Sequence, residues 1–171
     1  MKNVCSSLIA LAAFCVFTGA PLADPGNSWD KVLIGKKRFR VLGAFNHQAV
    51  LDVETGLVWQ QSPSANTFTW WSALSHCYTL EVGGRKGWRL PTIEELASLV
   101  DTSQSSPTLP VGHPFENVQT FLYWSATTDA DSTFAAWIVN FNDGDVGGFA
   151  KPDPGFVWCV RGGQGINGVQ Q

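Results

Sequence analysis

Charged residues are few. They make up 15% of the 171 residues, and 11 Lys and Arg against 14 Asp and Glu leave a formal net charge of -3. A balance this small and slightly acidic exerts no general pull on a polyanion, so no nucleic-acid partner is expected. Long apolar runs are missing as well: the stretch 8–17 is too short to cross a bilayer, and no membrane span is expected. There is no GxSxG elbow, HExxH pair, P-loop or CxxC, which removes the local signatures of several hydrolytic, metal-dependent, nucleotide-binding and redox chemistries. What the chain does have is apolar and aromatic. With 44% hydrophobic residues, 8 Trp and 11 Phe it has enough to bury for one folded domain, and disorder is not expected. The 17 Gly and 9 Pro, interleaved with short apolar runs, predict a turn-rich fold with modest helix.

Residues 1–23 read as a secretory signal peptide, with Lys2, the apolar run 8–17 and then small residues up to Ala23. Cutting after Ala23 is favoured over Ala20, because Pro21 would follow the earlier cut. Cys15 raises the alternative of a lipid anchor, but Phe14 stands where such signals want a small residue. Cys5 and Cys15 leave with the signal, and Cys77 and Cys159 remain as an even pair in an oxidising compartment. They are expected to form a disulfide; two buried free thiols are the alternative. The expected location is secreted, periplasmic or cell-surface.

Residues 24–37 are expected to form a flexible leader, 38–163 the packed domain and 164–171 a disordered tail. A first strand is placed over 38–44, and 49–53 with 57–60 read as a hairpin with Gly56 in its turn. Thr69 reads as an N-cap, followed at helical spacing by Trp70, Ala73, Leu74, Cys77 and Leu80 until Gly83-Gly84. A second helix opens at Thr92, which forms a capping box with Glu95, and runs to about Asp101 with Ile93, Leu96, Leu99 and Val100 inward. The segment 102–117 is a long loop that needs a function or packing of its own. Strands follow over 122–127, 134–141, 146–150 and 156–161, and the disulfide would tie the first helix to the last strand.

Several runs in this order resemble one family. They are Val53-Glu54-Thr55-Gly56-Leu57-Val58-Trp59-Gln60; Thr69-Trp70 with Ala73; Gly87-Trp88-Arg89-Leu90-Pro91-Thr92 with Glu95-Leu96; Tyr123-Trp124-Ser125-Ala126; Ala136-Trp137; and Cys159-Val160-Arg161-Gly162. Together, over residues 38–163, they are similar to the DUF1566 family, also called the C-terminal domain of the Legionella collagen-like adhesin. The resemblance implies an α+β fold: a C-type-lectin-like domain, related to formylglycine-generating enzymes, with two helices packed on short antiparallel sheets and one disulfide. It also implies adhesion as a class of activity, since the collagen-like adhesin binds sulfated polysaccharides and trimerises. This chain lacks collagen repeats, so an oligomer is possible without being implied.

Candidate binding residues fall into two groups. The basic run Lys36, Lys37, Arg38 and Arg40 suits sulfate or carboxylate groups on a polysaccharide, and Arg85, Lys86 and Arg89 would extend it if the fold brings them near. The plainer reading is a set of solvated charges at an edge strand. Asp129 and Asp131 in one loop, and Asn142, Asp143 and Asp145 in another, are oxygen-rich in the way of Ca²⁺ loops, yet Asn142-Asp143-Gly144 is also what a hairpin turn demands. No full ligand set is visible, His47, His76 and His113 are scattered, and no metal or cofactor is expected. The run 163–168 has GxGxxG spacing without the strand and helix such a fingerprint needs. Trp59, Trp88, Trp124, Trp137 and Trp158 are read as core, whereas one of Trp70 and Trp71 must face out. The expected function is therefore a non-catalytic, adhesin-like module that binds an extracellular polysaccharide or a surface partner. A structural subunit of a cell-envelope complex, binding proteins, is the alternative.

Overall fold

The computed structural model describes residues 35–162; the expected signal peptide, the leader before Gly35, the tail and the run 163–168 lie outside them. In chain order the elements are α1 (Gly35–Arg38), β1 (Phe39–Val41), a 3-10 turn (Gly43–Phe45), β2 (Ala49–Asp52), β3 (Val58–Gln60), α2 (Trp70–Thr79), α3 (Ile93–Ala97), β4 (Leu122–Thr128), β5 (Ala135–Asn140), β6 (Val146–Ala150) and β7 (Val160–Arg161). The architecture is mixed α+β, mostly sheet, with short helices and one disulfide.

The hairpin of β2 and β3 forms as its pattern requires. Val50 stands opposite Trp59, and Gly56 takes a φ of 73° in the connection, a conformation that crowds any residue with a Cβ. With β1 on one side and β7 on the other, the hairpin makes a four-stranded sheet in the order β1-β2-β3-β7, antiparallel throughout. The first strand is shorter than expected. Arg38 closes a helical turn that begins inside the expected leader, and Gly43–Phe45 winds into a 3-10 turn capped by Asn46 in the left-handed region.

The second sheet is the meander β4-β5-β6. Strand alternation divides β5 between two cores: Val139, with Phe141 just beyond the strand, faces a cluster that contains Trp59, Tyr123 and Trp158, whereas Ala136 and Ile138 face one that contains Trp88, Trp124 and Cys159. Helix α3 adds Leu96 to the first core and α2 adds Ala73 and Cys77 to the second, so both faces of β5 carry core residues, whereas the edge strand β6 has no buried residue. Trp137 is the exception to its expected burial: it is only half-buried, because its cross-strand neighbour on the edge strand β6 is Gly148, which has no side chain to cover it. Three of the buried indoles donate to backbone carbonyls, Trp88 to Arg85, Trp124 to Phe68 and Trp158 to Gln60; Trp59 Nε1 has no partner among the described residues.

The final strand is also shorter than the expected 156–161. Phe156 pairs with Tyr123 of the second sheet and Val160 with Trp59 of the first, so the segment between them crosses from one sheet to the other and forms no continuous ladder. Gly155 starts this crossing beside Trp124, where a Cβ would stand 2.7 Å from the indole nitrogen. The long loop before β4 has packing of its own, with Thr108, Leu109, Pro110 and Phe115 buried and Thr108 N–H donating to Phe141 O.

Both predicted helices form where their caps place them. Helix α3 has the full capping box: Thr92 Oγ1 accepts from Glu95 N–H, and Glu95 Oε2 accepts from Thr92 N–H. It ends at Ala97, short of Asp101, because the next turn tightens to i−3 bonds from Leu99 to Leu96 and from Val100 to Ala97. Helix α2 ends at Thr79 as Leu80 becomes extended, and Thr69 is its N-cap by position although its side chain makes no capping bond. Cys77, on the buried stripe of α2, is bonded to Cys159, 82 residues away and next to β7.

The run 87–92 forms a clamp between these parts. Arg89 exchanges both backbone hydrogen bonds with Val160, while its guanidinium holds Glu95 through two bonds of 2.7 Å and Gly162 O through one of 2.8 Å. Burial alone would raise the Glu95 pKa, but the hydrogen bonds from Arg89 and Thr92 and the guanidinium charge outweigh it and hold the carboxyl below its ordinary value.

Candidate functional site

The basic run does not survive folding as one patch. Lys36, Lys37 and Arg40 are exposed, but Arg38 is buried: its Nε and Nη2 bind Asp52 Oδ1 and Oδ2 at 3.0 and 2.7 Å, and Glu54 lies 3.1 Å from Nε. Strand pairing sets Phe39 opposite Asp52, which places the carboxylate within reach of the residue before it. Arg38 is therefore a structural cation, with no charge left for a ligand. Of the residues that would extend the run, Arg89 is bound to Glu95, Lys86 lies 4.0 Å from Glu81, and Arg85 lies over the Phe45 ring and donates to Ala44 O.

The aspartate loops are separated. Asp129 and Asp131 follow β4, whereas Asn142, Asp143 and Asp145 join β5 to β6, and in a meander those two connections lie at opposite ends of β5, roughly 20 Å apart. Each is organised as a turn. Asp129 Oδ1 accepts from Asp131 N–H, Asp143 Oδ1 from Asp145 N–H, and Asn142 Oδ1 from the Ser106 hydroxyl. Among the described residues no three His, Cys, Asp or Glu side chains gather to hold an ion. The histidines are likewise apart: His47 is an exposed turn residue, His76 packs on Phe68 with ring centres 4.6 Å apart, and His113 Nδ1 accepts from Phe115 N–H. Burial lowers the pKa of both His76 and His113.

The face that the fold does assemble lies on α2. With Ala73 and Cys77 turned into the core, Trp71, Ser75 and Tyr78 follow one another at i, i+4 and i+7 on the outside. Trp71 is 52% exposed and Tyr78 81%. Two open grooves flank this crest and share Ser75. The larger, about 610 Å³, runs from Tyr78 and Leu74 to Trp88, Arg89, Leu90, Thr92 and Ala126. The smaller, about 420 Å³, is walled by Trp71, Phe68, His76 and the hydroxyl residues Ser72 and Thr79.

The base of this face is rigid. Cys77 is bonded to Cys159, Trp70 Nε1–H donates to Ser125 O at 2.7 Å, and Trp70 N–H to Lys151 O. The arrangement offers aromatic faces and hydroxyls to a ligand. The division between Trp70 and Trp71 follows the sequence reading; Tyr78 and Ser75 were missed, although a helical wheel that turns Ala73 and Cys77 inward turns them outward with Trp71.

Among known proteins, the profile of the family described as the Lcl C-terminal domain matches residues 48–161, about two thirds of the chain. No curated protein matches the chain. The matched region runs from the first hairpin to the last strand and contains the capping box, Arg89 and the two disulfide-bonded cysteines, so the chain belongs to the Lcl C-terminal domain family.

Proposed function

We propose that this domain is a secreted, periplasmic or cell-surface binding module without catalytic activity, adhesin-like, that recognises an extracellular polysaccharide, sulfated and other anionic ones included. The observation that carries this reading is the crest of α2: two large aromatic rings, more than half exposed, stand over open grooves on a helix anchored by a disulfide. Aromatic rings offer a flat apolar face with a polar rim, which suits the C–H-rich faces and hydroxyl edges of sugars. The family supports the adhesive class, and the disulfide supports an oxidising compartment. Both described cysteines are occupied in that bond, which leaves neither as a nucleophile. The bond from α2 to the residue just before β7 also supports a C-type-lectin-like fold. Among the described residues no helix is long and apolar enough to cross a membrane.

A glycan array of sulfated and neutral polysaccharides, probed with disulfide-intact protein at low and high salt and with or without EDTA, tests the reading. Saturable retention of a polysaccharide is expected. Loss of retention when Lys36, Lys37 and Arg40 are changed to Ala would place an anionic ligand on the exposed cations. Absence of retention on every polysaccharide overturns the reading in favour of a protein partner in an envelope assembly.

A further inference from the structure

We propose that the crest of α2 is a subsite for an uncharged, extended stretch of polysaccharide, with Trp71 and Tyr78 stacking on two sugar rings separated by a third. The inference rests on the polysaccharide reading above and names the ligand class and its register. The two aromatics are seven positions apart, which sets their Cα atoms roughly 10 Å apart along the helix axis. That is about the advance of two units in an extended β-linked pyranose chain, in which every second ring presents the same face. Ser75, small and exposed, forms a saddle between them that leaves room for the intervening ring.

Charge selects the ligand. The ten residues of α2 contain no Asp, Glu, Lys or Arg. The one guanidinium in the flanking groove, that of Arg89, is already held by Glu95 and Gly162. An anionic sugar would find no counter-charge on the crest, whereas a neutral one leaves no charge unpaired by lying there. Hydroxyl residues, not charges, border the rings: Ser72, Ser75 and Thr79 are all exposed. A protein partner would favour a continuous apolar centre, and along the crest itself the two rings are interrupted by the polar side chain of Ser75.

The test uses disulfide-intact protein and β-1,4-linked gluco-oligosaccharides from disaccharide to hexasaccharide, with heparin as the anionic comparison. Affinity should step upward at the trisaccharide, the shortest chain that reaches both rings, and should change little with salt. Trp71→Ala and Tyr78→Ala should each weaken hexasaccharide binding about tenfold and remove the step at the trisaccharide. Ser75→Arg, which fills the saddle and keeps both rings, should do the same. All three positions are outside the core, and an unchanged near-UV spectrum checks that each variant is folded. No binding of the neutral series, no step, or retention by heparin alone overturns this subsite. If some polysaccharide still binds and the three variants behave as wild type, the subsite fails and the broader function stands; if no polysaccharide binds, both fail.

Discussion

Lys151 Nζ lies 4.2 Å from the centre of the Trp70 ring, and the same ammonium donates to Thr128 Oγ1 at 3.0 Å and Thr133 O at 2.9 Å. The residue is only 6% exposed, so its charge is held by a ring face and two oxygens in place of water. It joins the start of α2, the helix proposed to bind sugar, to the β4–β5 connection. Lys151→Met, which keeps the bulk and deletes the charge, should cost about 2 kcal/mol in chemical denaturation, with the m-value unchanged. A loss under half a kcal/mol would show that packing alone holds this junction.

The Arg38–Asp52 pair makes a second prediction. Asp52→Ala leaves a buried guanidinium with Glu54 as its remaining carboxylate partner among the described residues, and the expected cost is about 3 kcal/mol or more. The double variant Arg38→Met with Asp52→Leu should recover most of that stability, because two apolar groups need no counter-charge. If the single and double variants are equally unstable, the ion pair is not what stabilises the first sheet edge.

Reduction of the disulfide frees a loop of 82 residues, for which chain entropy alone gives about 4.5 kcal/mol. Cys77→Ser with Cys159→Ser should lower the denaturation midpoint accordingly. The same variant should weaken any α2-dependent ligand, since the crest loses its covalent anchor. Retained affinity with lowered stability would separate the two effects.

Glu95 predicts the acid limb. Its pKa is lowered in the folded protein, so its contribution is fully present above the ordinary value of 4.5 and is lost as pH falls through the folded value. Glu95→Gln should therefore destabilise by about 1 kcal/mol at neutral pH, through the weakened cap and clamp, and the gap to wild type should start to narrow near pH 4.5 and close once pH falls below the lowered folded value. A gap that is constant to low pH would refute the charged role. The pair is partly exposed, so added salt should shrink the effect.

Burial pushes the Tyr123 hydroxyl up to about 12, against the hydrogen bond that it accepts from Gln119 N–H at 2.7 Å. The chain has 2 Tyr, so Tyr78→Phe leaves Tyr123 as the only phenol. Ultraviolet titration of that variant should show no phenolate until near pH 12. Ionisation near 10 would mean that water reaches the first core.

Local pattern explains which elements were legible. The hairpin at Gly56, the capping box at Thr92 and Glu95, the buried stripe of α2 and the strands around Asn142–Asp145 are set by residues within a few positions of one another, so spacing suffices. The Cys77–Cys159 bond was legible for another reason, since only two cysteines remain after the expected signal. The candidate site was harder. Arg38 reads as one of a row of cations until strand pairing brings Asp52, 14 residues away, against it. The two aspartate turns are close in sequence, yet the meander sends them to opposite ends of β5.

By itself, then, the sequence determined the α+β character, the capping box at Thr92, the start of α2, the hairpins, the cysteine pair and the family, because these follow from short-range periodicity, turn chemistry and ordered motifs. Tertiary structure alone decided that β5 divides its side chains between two cores, that Lys151 lies against the Trp70 ring, that Arg38 is spent on Asp52, and that the grooves beside α2 stay open. Each of these depends on groups far apart in the chain meeting with particular geometry, and burial, which changes the energetic meaning of a charge or a ring, arises only when they meet.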